Sequence, residues 1–302
     1  MYKILNTRGL GVSGKQNELI ELALTFGFSG VEVDMQDLVG RHDAMGKEFA
    51  CQFLQSAKID MGTFCLPVDL GAENEKYGAS IAKVDTILDL AETLNAKTCY
   101  VPIDTNNENF SFQECFENHQ TRLQELAERF ASKNINIGLS LAASTAEPPE
   151  GTFKFIQTAE EILTLAKAIS APNVGVCLNT WEWVLGGGTL DMITSAGFDV
   201  IKEIRLADIP ADADKANINA SDRTTLPGEV ADSFSYQVMK AAVEANPDLP
   251  VSAATELSTY SGGSRDKVIK LISRNLDILV EGKDPAVVVA EMEAGRRVSH
   301  LL

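Results

Sequence analysis

Short apolar runs alternate with amphipathic stretches along the whole chain, and this alternation restricts the fold more than any other feature. Eight runs have the length and composition of β-strands: 2 to 6, 30 to 34, 59 to 66, 97 to 103, 135 to 141, 174 to 179, 200 to 207 and 250 to 256. Several intervening stretches place apolar residues three and four positions apart, as helices with one buried face do: 18 to 28, 85 to 96, 119 to 133, 159 to 170 and 266 to 279. The pattern predicts a parallel sheet with helical crossovers, and eight such units predict a closed (β/α)8 barrel.

The connections are unequal in length, which predicts a working face at one end of this TIM barrel. The longest connections, 142 to 157 and 208 to 231, both follow strands. In TIM barrels the loops that follow strands gather at the carboxyl ends of the strands, where catalytic groups sit. We assign 1 to 283 to the barrel and 284 to 302 to a C-terminal helical extension of the same domain. This extension packs either on the barrel or on a neighbouring subunit, so a homo-oligomer stays open.

Charge and cysteine content restrict the partners and the compartment. Lys and Arg number 26 against 43 Asp and Glu, a net charge of −17 that repels phosphate backbones and anionic lipid surfaces. We therefore expect neither nucleic acid nor a membrane as a partner. The five cysteines are odd in number and lack C-x-x-C spacing, which favours free thiols. With no secretory leader or long apolar run visible, we expect a cytoplasmic protein.

Several segments resemble the xylose isomerase-like family of sugar isomerases and epimerases. They are GFSGVEVD at the second strand, VGVCLNTWEW at the sixth, EIRLADIP at the seventh, LPGEV before the seventh helix and VSAATE at the eighth. The resemblance implies a barrel floor that holds a divalent cation, Mn²⁺, Mg²⁺ or Zn²⁺, through a Glu, an Asp, a His and a Glu on strands five to eight. It also implies that the cation grips vicinal sugar oxygens while the two Glu move protons.

When the family's metal-ligand positions are carried over one by one, this chain has different residue types at most of them. The four ligand positions fall on Ser140, Asn179, Arg205 and Glu256, and only Glu256 matches the family pattern. A further polar residue of the family, three places after the strand-six ligand, corresponds to Glu182. Hard divalent cations need several oxygen ligands, and a guanidinium cannot coordinate a metal. We therefore do not expect the family's cation at these positions.

Two functional hypotheses stay open. In the first, the protein is an isomerase or epimerase of a sugar or sugar acid with a degenerate metal site; Glu256 is the catalytic base, and Glu32 or Glu182 assists. In the second, it is a non-catalytic or metal-independent barrel that binds a polyol or sugar acid. An Arg205–Glu256 ion pair then replaces the cation. Related barrel nucleases are disfavoured by the charge and by only three dispersed histidines.

Other candidate residues lie near the first two strands. Arg8 follows the first strand and would bring positive charge to an acidic mouth, either to bind an anionic or polyol ligand or to balance charge. Glu32 and Asp34 alternate with Val31 and Val33, so we expect both carboxylates to point into the barrel.

The long loops supply the remaining candidates for substrate binding. Asp208 closes the seventh strand, and Arg223 lies in the loop that follows it. Trp181, directly after the sixth strand, is either a stacking face for a sugar or a packed loop anchor. We expect His119, within a helix, and His300, in the tail, to lie on the surface.

Overall fold

A computed structural model describes residues 1–144, 147–210, 213–215, 217–218, 222–256 and 264–299. It confirms the predicted α/β fold, a (β/α)8 TIM barrel with an additional C-terminal helix. The strands are β1 (Tyr2–Leu5), β2 (Gly30–Val31), β3 (Asp60–Met61), β4 (Phe64–Cys65), β5 (Thr98–Pro102), β6 (Asn106–Asn107), β7 (Asn136–Ser140), β8 (Phe153–Lys154), β9 (Val174–Asn179), β10 (Ile201–Leu206) and β11 (Pro250–Ala253).

The barrel closes through its third strand. The parallel sheet has the order β3-β2-β1-β11-β10-β9-β7-β5-β4. Its two ends, β3 and β4, are the two halves of the predicted strand 59 to 66, so the same stretch of chain pairs with β2 on one side and β5 on the other. At the break, a Cβ on Gly62 would lie 2.5 Å from Cγ2 of Ile4. Only glycine fits this close approach of two strands.

Helices cover the outside of the ring. They are α1 (Gln16–Thr25), α2 (Met35–Met45), α3 (Lys47–Ala57), α4 (Asn74–Ile81), α5 (Val84–Thr93), α6 (Phe112–Ala131), α7 (Ala159–Ala168), α8 (Thr180–Leu185), α9 (Leu190–Ala196), α10 (Phe234–Ala245), α11 (Arg265–Val280) and α12 (Pro285–Ser299). The five amphipathic stretches correspond to α1, α5, α6, α7 and α11. The short helices and the antiparallel pair β6–β8 lie in segments where the apolar spacing gave no prediction.

The alternation of side chains along each strand separates an apolar outer core from a polar interior. On β10, Ile204 and Leu206 face the helices and belong to the main hydrophobic core, whereas Glu203 and Arg205 face the barrel axis. All five cysteines are free thiols, as predicted. No helix in the described ranges is long and apolar enough to cross a bilayer.

Candidate functional site

Arg205 and Glu203 form an ion pair inside the barrel. Both project inward from β10, because a spacing of two puts side chains on the same face of a strand. Nε of Arg205 lies 2.9 Å from Oε1 of Glu203, and Nη2 donates to Oε2 at 3.0 Å. The Thr63 hydroxyl and the Cys177 thiol donate to the same carboxylate at 2.9 and 3.3 Å. Both charged groups are buried, so each depends on its partner for compensation.

Tyr100 and Glu32 extend this arrangement across the interior. Cζ of Arg205 lies 3.7 Å from the centre of the Tyr100 ring, a cation–π contact. The Tyr100 hydroxyl donates to Oε1 of Glu32 at 2.9 Å, and the backbone N–H of Arg8 donates to Oε2 at 3.1 Å. We refer to the five interior side chains as the inner cluster: Glu32, Thr63, Tyr100, Glu203 and Arg205.

Burial sets the protonation behaviour of the inner cluster. Burial raises the pKa of Glu32, and the charge of Arg205 together with the Tyr100 hydroxyl lowers it only part of the way back. Burial, reinforced by the charge of Glu32, also raises the pKa of the Tyr100 phenol. At neutral pH the phenol therefore keeps its proton and acts as the donor in the Tyr100–Glu32 hydrogen bond.

The structure corrects the expected Arg205–Glu256 ion pair, because Arg205 binds Glu203 instead. The register of the strands gives the reason. Arg205 is paired with Ser252 on β11, and Glu256 lies four residues further on, roughly 13 Å along an extended chain. The two side chains thus belong to different levels of the barrel, whereas Glu203 lies on the same strand and the same face as Arg205.

Glu256 lies at the mouth, beyond the end of β11. Its backbone N–H donates to the carbonyl of Arg223 at 2.8 Å, which joins the loop after β10 to the end of the last barrel strand. Its carboxylate lies against Gly11, where an added Cβ would be 2.2 Å from Oε1. Gly11 also has φ +61, a conformation in which other residues are strained, so this position favours glycine.

Glu182 lies at the mouth next to Arg223. Its Oε2 accepts the backbone N–H of Ala143 at 2.9 Å, and its Oε1 lies 3.8 Å from Nη1 of Arg223. Burial raises the pKa of Glu182, although the Ala143 amide and the Arg223 charge act in the opposite direction. A carboxyl whose pKa is raised, at the mouth of the barrel, is a candidate to hold or pass a proton.

Three of the predicted binding residues are engaged by the fold itself. Oδ1 of Asn179 accepts the backbone N–H of Trp181, so the amide caps α8. Trp181 is 1% exposed and packs on Ala207 and Ala254, which favours the packed-anchor alternative over sugar stacking. Asp208 accepts the backbone N–H of Gly228, at the end of the LPG segment, at 2.8 Å and that of Ser235, in the first turn of α10, at 3.0 Å. Its burial and its bonds correspond to a structural role.

The four ligand-like positions do not share one floor. Ser140 ends β7, half-buried, and Asn179 caps a helix. Arg205 and Asn179 are register partners on β10 and β9, but the Asn179 amide is occupied as the cap of α8, and Glu256 lies above both. Asp34 also departs from expectation: β2 ends at Val31, and the Asp34 carboxylate caps α2 rather than joining Glu32 inside.

Arg8 reaches the surface at the mouth. It is exposed, and its guanidinium makes no hydrogen bond or ion pair with any described residue. Partial burial lowers the pKa of Arg8, but the neighbouring Tyr100, Cys65 and Glu32 groups raise it on balance. The guanidinium of Arg8 is therefore available to bind a ligand at the mouth.

The donor set does not fit a divalent cation of the family kind. A guanidinium projects into the interior at one of the implied ligand positions, and an amide and a hydroxyl replace two others. Within the described ranges, no group of three or more His, Cys, Asp or Glu side chains has the arrangement of a metal site. No chemical step is therefore assigned to a metal here.

Sequence reasoning missed Glu203, Tyr100 and Thr63. A signal for Glu203 is present, since it precedes Arg205 by two residues on one predicted strand. Tyr100 and Thr63 lie inside apolar runs that are typical of core strands, so their polar role appears only once the ring is closed.

A buried polar interior beneath a loop-lined mouth is the arrangement of a TIM barrel with a site at the carboxyl ends of its strands. The chain belongs to the xylose isomerase-like TIM barrel family, whose model matches residues 20–270. A comparison with curated protein sequences finds no match.

Solved structures show the same fold at low sequence identity. A xylose isomerase domain protein from Alicyclobacillus acidocaldarius is 17% identical with a TM-score of 0.79, over 93% of this chain and 99% of that one. D-psicose 3-epimerase, solved in the presence of D-fructose, is 16% identical with a TM-score of 0.66, over 91% and 96%. The E. coli 3-keto-D-glucoside 4-epimerase is 12% identical with a TM-score of 0.64, over 92% and 98%.

Proposed function

We propose that this chain binds a small sugar acid or polyol in the barrel mouth without a divalent cation. The observation that carries the proposal is the buried Arg205, which projects into the interior from the strand-seven ligand position. Held by Glu203 and stacked on Tyr100, it places a compensated guanidinium at a position where relatives of the family would have a metal ligand.

Arg8 supports an anionic ligand in particular. Its guanidinium is exposed and has no partner among the described residues, and the mouth also contains Arg223. An arginine binds a carboxylate through two parallel hydrogen bonds, which a neutral polyol cannot match. A sugar acid therefore fits this site better than the corresponding neutral sugar.

The experiment is a calorimetric titration of chelator-treated protein with D-gluconate, with D-glucitol as the neutral counterpart. We expect saturable gluconate binding that added Mn²⁺ leaves unchanged, and weaker binding of glucitol. Arg8→Gln should weaken gluconate binding about tenfold or more, since hydrogen bonds to charged groups contribute about 1.5 to 3 kcal/mol. Lys15→Gln removes an equal charge further along the same loop and should have little effect. Binding that appears only after Mn²⁺ is added would refute the proposal.

Catalysis is a second candidate, favoured by the raised pKa of Glu182 at the mouth. Under it, the protein is a sugar or sugar-acid isomerase or epimerase in which Glu256 removes the proton next to a carbonyl. Glu182 then serves as the second acid or base. Glu32 is less available, because the Tyr100 hydroxyl and the Arg8 amide occupy its two oxygens.

Solvent exchange tests this second candidate. The protein is incubated in D2O with D-fructose, D-psicose and related keto sugars, and deuterium next to the carbonyl is measured by NMR. Exchange that Glu256→Gln abolishes, in a variant with an unchanged melting temperature, would support proton transfer. No exchange with any of these sugars, or full exchange in Glu256→Gln, would count against it.

Several assignments stay proposals from the sequence. They are a cytoplasmic location, a role in carbohydrate metabolism, no nucleic-acid partner, a homo-oligomer, and the division into a barrel of 1 to 283 with an extension of 284 to 302. The structure places a helix at Pro285–Ser299 and leaves the end of that extension, including His300, outside the described residues.

A further inference from the structure

A second cavity lies at the top face of the barrel, beside the mouth. It measures about 390 Å³ and is bordered by the ends of two barrel strands, at Cys65 and Pro102, and by the loop that follows β4. Asp69, Asp104 and His119 contribute its ionisable side chains. No lysine or arginine lines it among the described residues.

His119 is a buried polar side chain that lines this cavity. The sequence predicted a surface histidine, but the structure leaves the residue only 2% exposed, with its ring stacked at 4.6 Å on Phe155. Nδ1 lies 2.8 Å from the carbonyl oxygen of Cys115, so it must carry the proton and donate it. Nε2 is then an unprotonated acceptor, and it has no hydrogen-bond partner among the described residues.

Burial keeps this imidazole neutral. It lowers the pKa of His119 to about 4, the charge of Arg122 acts in the same direction, and the Cys115 carbonyl and the Asp69 carboxylate favour the charged form. Nε2 therefore remains an acceptor at every pH near neutrality.

Asp69 and Asp104 present further acceptors to the same space. A Cβ on Gly71 would lie 3.8 Å both from Oδ1 of Asp69 and from Cε1 of His119, so both groups border the space beside Gly71, whose N–H donates to Oδ1 of Asp69 at 3.1 Å. Asp104 reaches solvent and has no hydrogen bond or ion pair with a described residue. Burial, together with the charge of Asp69, raises the pKa of Asp104.

We propose that this cavity is a binding site for a primary ammonium group, as an amino sugar carries. Three acceptors, two of them anionic, line this cavity. An ammonium group matches them with three N–H donors and one positive charge. The inference is independent of ligand binding in the mouth, because it rests on different residues and a ligand of opposite charge.

The test is a calorimetric titration of the full chain with D-glucosamine, with N-acetyl-D-glucosamine as the uncharged counterpart. We expect saturable binding of glucosamine and at least about tenfold weaker binding of the acetylated sugar, because hydrogen bonds to charged groups contribute about 1.5 to 3 kcal/mol. Equal binding of the two sugars, or no binding of either, would overturn the proposal whatever the variants show.

Charge-neutralising variants locate the site. Asp104→Asn and Asp69→Asn should each weaken glucosamine binding about tenfold. Asp248→Asn removes the same charge in the turn before β11, at the opposite end of the barrel, and should leave binding within about twofold. Titration of Asp104→Asn with gluconate shows separately whether the barrel mouth binds its proposed ligand. If Asp104→Asn and Asp248→Asn bind glucosamine equally well, the cavity is not the site.

Discussion

Arg205 organises the residue-scale chemistry of the interior. Its guanidinium has an ion-pair partner in Glu203, a ring beneath it in Tyr100 and a hydroxyl neighbour in Thr63 at 3.3 Å. Each of these groups is buried, so water cannot solvate the charge of Arg205 or of Glu203. The positive charge is therefore both fixed in place and necessary for the fold.

Replacing Arg205 should destabilise the protein strongly. Arg205→Met leaves the Glu203 carboxylate buried without its partner, and we expect the free energy of unfolding to fall by about 3 to 5 kcal/mol in urea titrations. Arg205→Met with Glu203→Gln should recover part of the loss. Arg129→Met, which breaks an exposed ion pair with Asp85, should cost no more than about 1 kcal/mol. A loss for Arg205→Met as small as that of Arg129→Met would contradict the account.

Glu182 should give stability a measurable pH dependence. A carboxyl whose pKa is raised by folding stabilises the protein below its unfolded pKa, about 4.3, and loses that contribution as pH rises through the folded pKa. Glu182→Gln removes the titration. The free energy of unfolding of Glu182→Gln minus that of the wild type should therefore increase as pH rises from about 4.3. A difference that stays constant or decreases would mean that the mouth does not raise this pKa.

At the element scale, the ends of β10 and β11 position the mouth. Asp208 joins the end of β10 to the start of α10, and the backbone of Glu256 is bonded to Arg223 in the intervening loop. The loop after β10 is thereby fastened at its end by the carboxylate of Asp208 and near its middle by a main-chain hydrogen bond.

Removing the Asp208 cap should loosen this loop. Asp208→Ala leaves two buried amides without an acceptor, and we expect the free energy of unfolding to drop by about 1 to 3 kcal/mol. Asp208→Asn keeps one oxygen and should lose less. Asp248→Ala, in an exposed turn, should stay within about 0.5 kcal/mol of the wild type in the same denaturation experiment. If Asp208→Ala and Asp248→Ala lower the free energy of unfolding equally, Asp208 does not cap the start of α10.

The sequence predicted the long elements well and the short ones poorly. Helices such as Phe112–Ala131 have enough turns for their apolar spacing to be read. The two-residue strand Gly30–Val31 does not, and the expected strand 30 to 34 therefore included Asp34, which caps a helix instead. Local patterns also cannot give the height of a residue in the barrel. That height, set by the register Arg205 with Ser252, decided which acid pairs with Arg205.

At the scale of the whole molecule, ring closure brings the inner cluster together. Glu32, Thr63, Tyr100 and Glu203 come from four different barrel strands or their junctions, and the Thr63–Glu203 hydrogen bond joins residues 140 positions apart. The third strand, split between β3 and β4, contributes Thr63 from the break itself. The same closure places the carboxyl ends of all the strands on one face, where Arg8, Glu182 and Glu256 lie.

Anomalous diffraction from crystals soaked in Mn²⁺ tests most directly whether an arginine has taken the place of the family's cation. We expect the Arg205–Glu203 pair to remain in density and no manganese peak to appear at the centre of the barrel. A manganese ion bound by Glu256 and Asn179, with the guanidinium displaced from the interior, would contradict the account.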